Sequence, residues 1–174
     1  MDRSIETFEY AARLSPDNLM VLWALTLHYA LWNERKHLHA HAVKSLPFLE
    51  RYVFLHPDDR SIRGEYIVSL AATGRVEEAC RIAENLLAEP SDEAVHLGGI
   101  AITFLLAGDV EQAIAVCERL SDLGAWLYML VTPLFRKLRH HPKYRDLLKR
   151  AHSAAGRVRQ LRRRHGFRRL PAGI

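Results

Sequence analysis

Two stretches, LAATGRVEEACRIAENLLAEP (residues 70–90) and LLAGDVEQAIAVCERLSDLGA (105–125), decide how this chain folds. Aligned with each other, they keep one order of small, acidic and apolar residues. Gly74 and Gly108 stand 34 residues apart, as do Ala79 and Ala113. After each glycine an apolar residue returns every three or four positions: Val76, Ala79, Ala83 and Leu86, then Val110, Ala113, Cys117 and Leu120. That period predicts amphipathic helices. The preceding segments, SIRGEYIVSLAATG and EAVHLGGIAITFLLAG, are helical in period as well. Each unit therefore reads as helix, glycine turn, helix, and a fixed period of this size marks a repeat architecture. In such an architecture each unit buries its apolar face against its neighbours.

Helix pairs repeating at this spacing resemble the tetratricopeptide-repeat family. The family pattern W-x2-L-G-x2-Y is kept with weaker residues by Leu22, Leu25, Thr26 and Tyr29, and again by Leu97, Ile100, Ala101 and Phe104. Arg63, Tyr66, Ile67 and Leu70 are its poorest version. The unit ends carry the family's small, aromatic and proline positions in Ser4, Phe8, Ala11 and Pro16, and in Ser45, Leu49 and Pro57, while Pro90 closes the next unit one residue early. The resemblance implies an all-α fold: antiparallel helix pairs stacked as a short right-handed solenoid with a C-terminal capping helix. It divides the chain into a repeat domain over 1–151 and a basic tail over 152–174. Within the domain lie a partial repeat at 2–16, repeats at about 17–57, 58–90 and 91–125, and a capping segment at 126–151.

Two irregularities stand out. Residues 2–15 read as the second helix of a unit without its first, which leaves an apolar seam at the end of the stack. A fragment of a longer protein, or a surface covered by a partner or a second copy, accounts for that seam. The unit from Pro16 to Pro57 spans 41 residues, seven more than usual, or about two helical turns. Leu38, Ala42, Leu46, Leu49 and Val53 form one stripe there, and Pro47 interrupts it. A proline inside a helix removes a hydrogen bond and crowds the turn before it. One kinked helix, or two helices broken near Ser45, satisfies the pattern.

The bulk composition fits a single globular domain. The 174 residues are 49% apolar and 26% charged, without an apolar run of membrane-spanning length or a secretory signal. Cys80 and Cys117 are far apart and suit buried thiols in a reducing compartment, which points to the cytoplasm. The net charge of +5 hides an asymmetry. Residues 147–174 hold nine Lys or Arg and no acid, whereas the first 146 hold 16 basic and 20 acidic residues, a net of −4. Basic tails of this kind dock on nucleic acid, on anionic membrane or on an acidic partner. The tail arginines are Arg157, Arg159, Arg162, Arg163, Arg164, Arg168 and Arg169, and no aromatics interleave them to stack bases.

Catalytic motifs are missing: no GxSxG, no GxxxxGK[ST] and no GxGxxG appears. The chain therefore reads as a non-enzyme that needs no cofactor and takes no small-molecule substrate. The two glycines of HLGGIAI (96–102) sit in a helical segment, where they permit close helix packing. In ERKHLHAHAVKSLPF (34–48), His37 and His41 share a side of the helix and His39 lies about 200° round from His37. Two imidazoles fall short of the four ligands of a structural zinc, so no metal is expected. Helical register places Met20, Trp23, Leu27, Leu31, Val68, Ile102 and Leu105 on an apolar inner face. That face suits an apolar or amphipathic segment of a protein partner; tight curvature or the chain's own tail would equally cover it. Finally, Pro133, Phe135, Leu138, Arg139, Pro142, Tyr144, Leu147 and Leu148 follow a P-x-F-x-x-L-R-x-x-P-x-F/Y-x-x-L-L pattern. The pattern resembles the ending of repeat regions attached to bacterial adenylate cyclases, Ser/Thr kinases and winged-helix regulators. The first expectation is thus a protein-interaction module in a bacterial signalling or regulatory protein. The alternative is a nucleic-acid or membrane-surface binder acting through the basic tail, and self-association through the N-terminal seam is a third.

Overall fold

The computed structural model describes residues 3–89, 94–123 and 127–150, and all regular structure among them is helical. Seven α-helices succeed one another: α1 (Arg3–Leu14), α2 (Leu19–Leu31), α3 (Arg35–Leu55), α4 (Arg60–Ala72), α5 (Val76–Ala88), α6 (Ala94–Ala107) and α7 (Val110–Asp122). Two short 3₁₀ helices, Leu127–Val131 and Phe135–His140, come next, and residues 144–150 are again helical. Among the described residues no helix is long and apolar enough to cross a membrane.

Helices α2, α4 and α7 start where a short polar side chain satisfies free backbone donors. Asn18 accepts from the N–H groups of Met20 (3.1 Å) and Val21 (3.3 Å). Asp59 accepts from Ile62 (3.2 Å), and Asp109 from Gln112 (3.0 Å).

The turns at the ends of α2, α4 and α6 share one construction. Asn33, Gly74 and Gly108 each have positive φ (58°, 94° and 86°). The next amide then reaches back five residues: Glu34 to the Tyr29 carbonyl (2.8 Å), Arg75 to Leu70 (3.0 Å), Asp109 to Phe104 (2.9 Å). At Asn33 and Gly74 the residue's own N–H closes a second bond, onto Ala30 (3.0 Å) and Ala71 (3.2 Å). This pair of bonds is the Schellman helix end, which needs a left-handed residue that glycine adopts without strain and asparagine tolerates. The acceptors Tyr29, Leu70 and Phe104 are the last positions of the three family-like patterns, and all three are buried.

Asn33 is thus the counterpart of the two glycines, which locates the extra residues of the long unit. They lie after the turn, in α3, which has 21 residues where α5 and α7 have 13. Helix α3 runs as a single element through Pro47. Pro47 and Val43, whose carbonyl loses its partner there, are both exposed, so water can serve that carbonyl. The opposite face buries Leu38, Ala42, Ser45, Leu46 and Leu49.

Each helix packs on the next, and α2 on α4 and α4 on α6 pack across the intervening helix. The α4–α6 crossing is tight. A Cβ on Gly99 would stand 2.7 Å from the Gly64 carbonyl oxygen, so only glycine fits there. The role expected for a glycine of HLGGIAI, close helix packing, holds for Gly99.

The capping segment after α7 is a broken chain of short turns that ends in the helical residues 144–150. Pro133 and Pro142 lie between the two 3₁₀ helices and just before residue 144. Each lacks an N–H and disfavours helical geometry in the residue before it, which ends each helical turn there. Beyond them Tyr144 and Leu147, the last aromatic and an apolar position of that pattern, are buried.

Candidate functional site

Helical register places the candidate binding residues on one apolar face, and the structure buries four of the seven. Of the seven, Met20 is 74% exposed, Trp23 and Leu27 are half-buried, and Leu31, Val68, Ile102 and Leu105 are buried. These four share one core cluster with Met129, Leu130, Leu134, Phe135 and Leu138 of the C-terminal segment. At these four positions the chain itself covers the face, which takes large apolar side chains out of water.

Two polar contacts fix the register of this filling. The Leu134 N–H donates to the Leu31 carbonyl at 3.0 Å. The Lys137 ammonium donates to the Leu105 carbonyl at 3.0 Å. Both acceptors lie in the last turn of a helix, α2 and α6, where carbonyls lack helical partners and a cation meets the negative end of the helix dipole. Burial lowers the Lys137 pKa, and nearby Arg35 lowers it further. Behind the segment, the Tyr144 hydroxyl donates to the Leu130 carbonyl. Sequence reasoning missed Leu134 and Lys137 as contact residues. The signal available was the pair Pro133 and Pro142, which forbids the straight helix that would have pointed away.

A second site lies between α1, α2 and α3, a cavity of about 520 Å³. Its walls include Glu9 and Arg13 from α1, Leu22, Leu25 and Tyr29 from α2, and His37, His41 and Lys44 from α3. The Tyr29 hydroxyl donates to Glu9 Oε1 at 2.7 Å, and burial, then the Glu9 carboxylate, raises the phenol's pKa. His37 stacks on the Tyr29 ring with centroids 5.5 Å apart and planes 19° from parallel, while its Nδ1 lies 3.2 Å from Glu34. His41 is half-buried with Nε2 3.2 Å from the Leu22 carbonyl. Burial lowers its pKa, against the raising effect of that backbone contact. A neutral His41 therefore carries its proton on Nε2 and donates it to Leu22, leaving Nδ1 as an acceptor.

The three histidines separate as the helical spacing requires. His39 turns to the other side of α3, where its Nδ1 lies 2.9 Å from the Ala72 carbonyl of α4. Among the described residues no three His, Cys, Asp or Glu side chains converge as metal ligands. Cys117 is buried, which pushes its thiol up to about 12, and Cys80 is half-buried. The tail residues Arg157, Arg159, Arg162, Arg163, Arg164, Arg168 and Arg169 lie outside the described residues.

No family model matches this chain, and no curated protein or solved structure matches it.

Proposed function

We propose that this chain is a protein-interaction module of tetratricopeptide-like helix pairs, stacked antiparallel as a short right-handed solenoid, and works in the cytoplasm as an appendage of a bacterial signalling or regulatory protein. Its binding surface is the inner face, and its target is an apolar segment with a cationic residue nearby. The three like-built turns at Asn33, Gly74 and Gly108 favour the repeat reading. The observation that carries the functional reading is the contact of Leu134 with Leu31, together with burial of Met129, Leu130, Phe135 and Leu138 in the same core cluster. A face that holds one apolar segment of its own chain has the chemistry to hold another. Exchange of the two is the mechanism: a partner segment enters when residues 127–140 leave.

The test is competition. A labelled peptide of residues 127–150 is titrated into the full chain and into its Leu134→Asp variant, with circular dichroism confirming that both remain helical. Weak uptake by the parent chain and at least tenfold tighter uptake by the variant support the reading. A folded variant that takes up the peptide no better than the parent removes it.

A further inference from the structure

We propose that the cavity between α1, α2 and α3 is a binding site for a monocarboxylate with an apolar body. Its volume of about 520 Å³ falls within the range of roughly 300–1,000 Å³ usual for small-molecule sites. Apolar wall comes from Ala12, Leu22, Leu25 and Ala40, with the flat Tyr29–His37 stack beside them. The charges are unbalanced. Arg13 and Lys44 line the cavity against a single carboxylate, Glu9, whose Oε1 already accepts the Tyr29 hydroxyl. The Arg13 guanidinium lies 5.6 Å from the centre of the Tyr10 ring, and neither it nor Lys44 has a carboxylate partner among the described residues.

An anion completes this arrangement where a cation does not, because two cationic side chains face one engaged acid. The same charge balance turns away the chain's own tail, whose seven arginines would bring like charge to Arg13 and Lys44. One negative charge is favoured over two by the nearness of Glu9, and the apolar wall demands a hydrocarbon body. Fatty and branched-chain acids of moderate length have this chemistry. The site stands apart from the filled inner face and does not depend on what that face binds.

The probe is octanoate, titrated by calorimetry into the full chain at pH 7, beside neutral octanol. Lys44→Glu replaces one of the two cations with an acid, and Ala40→Trp fills the space. Both positions are exposed on α3, and thermal melts establish that both variants fold. The expected results are one saturable octanoate site, at least tenfold weaker octanol uptake, a loss of at least tenfold in Lys44→Glu, and no uptake in Ala40→Trp. Absence of saturable octanoate binding overturns the proposal, as does equal binding of octanol or binding that survives Ala40→Trp. A chain that is dimeric by light scattering and takes up no octanoate assigns the cavity to a second copy, which also overturns it.

Discussion

The backbone N–H of Leu134 donates to the carbonyl of Leu31 across 103 positions of sequence, and this bond seats the C-terminal segment on the inner face. Neighbouring Phe135 is fully buried. Phe135→Ala is expected to cost about 3–5 kcal/mol, as for large aromatic truncations in cores. Lys137→Met, which keeps the stem and loses one hydrogen bond, should cost only about 1 kcal/mol. Urea denaturation followed by circular dichroism measures both. Equal, small losses would mean that the segment rests loosely on the stack.

At the α4–α6 crossing the two glycines are not equivalent. A Cβ on Gly99 meets the Gly64 backbone at 2.7–2.9 Å, whereas one on Gly64 finds its nearest neighbour at 3.7 Å. Gly99→Ala should therefore destabilise by about 1–3 kcal/mol or more through forced separation of the helices. Gly64→Ala should be neutral or stabilising by up to about 1 kcal/mol, since alanine suits a helix interior better. Thermal melts of the two variants distinguish these outcomes.

The turns carry a different prediction, because space is not what restricts them. Nothing lies within 4 Å of a Cβ built on Gly74, yet its φ is 94°. Gly74→Ala should lose about 1 kcal/mol from backbone strain alone. At Asn33, with φ of 58°, glycine should change stability by less than about 0.5 kcal/mol. Chemical denaturation of both variants checks the pair.

These turns also mark the limits of what is legible in the sequence. Of the two stripes, Ala79, Ala83 and Leu86 and their counterparts Ala113, Cys117 and Leu120 are buried, while the leading Val76 and Val110 are half-buried; periodicity reports which face is apolar. Asn33 is harder to read than the two glycines, because asparagine signals left-handed backbone more weakly than glycine does. Of the seven residues that register groups on one face, Leu31, Val68, Ile102 and Leu105 are buried, Trp23 and Leu27 half-buried and Met20 exposed. Register names a face without naming what lies against it. The covering comes from residues more than a hundred positions away in the case of Leu31, a tertiary fact that no local pattern encodes. Contact between Glu9 and Tyr29 is hidden for the same reason.

Glu65 gives the chain a pH-dependent stability. It is fully buried on α4, its Oε1 takes a long hydrogen bond from Thr26 (3.4 Å), and its Oε2 has no partner. Burial raises its pKa from 4.5 to about 8, with the Thr26 contact opposing. The folded chain thus binds more protons than the unfolded chain across that window. Its contribution is fully present below about pH 4.5 and is lost as pH rises towards 8. Glu65→Gln should abolish this component, leaving the variant similar to the parent at pH 5 and more stable at pH 9. Urea midpoints at the two pH values decide it; a parallel pH dependence in both chains would show that Glu65 is not the titrating group.

The seating of the C-terminal segment is tested most directly by native-state amide hydrogen exchange at Leu134 in the full chain. Its N–H should be well protected, exchanging through release of residues 127–140 at a lower free energy than the core amides of α4 and α6 need. Rapid exchange at Leu134 while those core amides stay protected would mean that the inner face is open, and would contradict the filled groove.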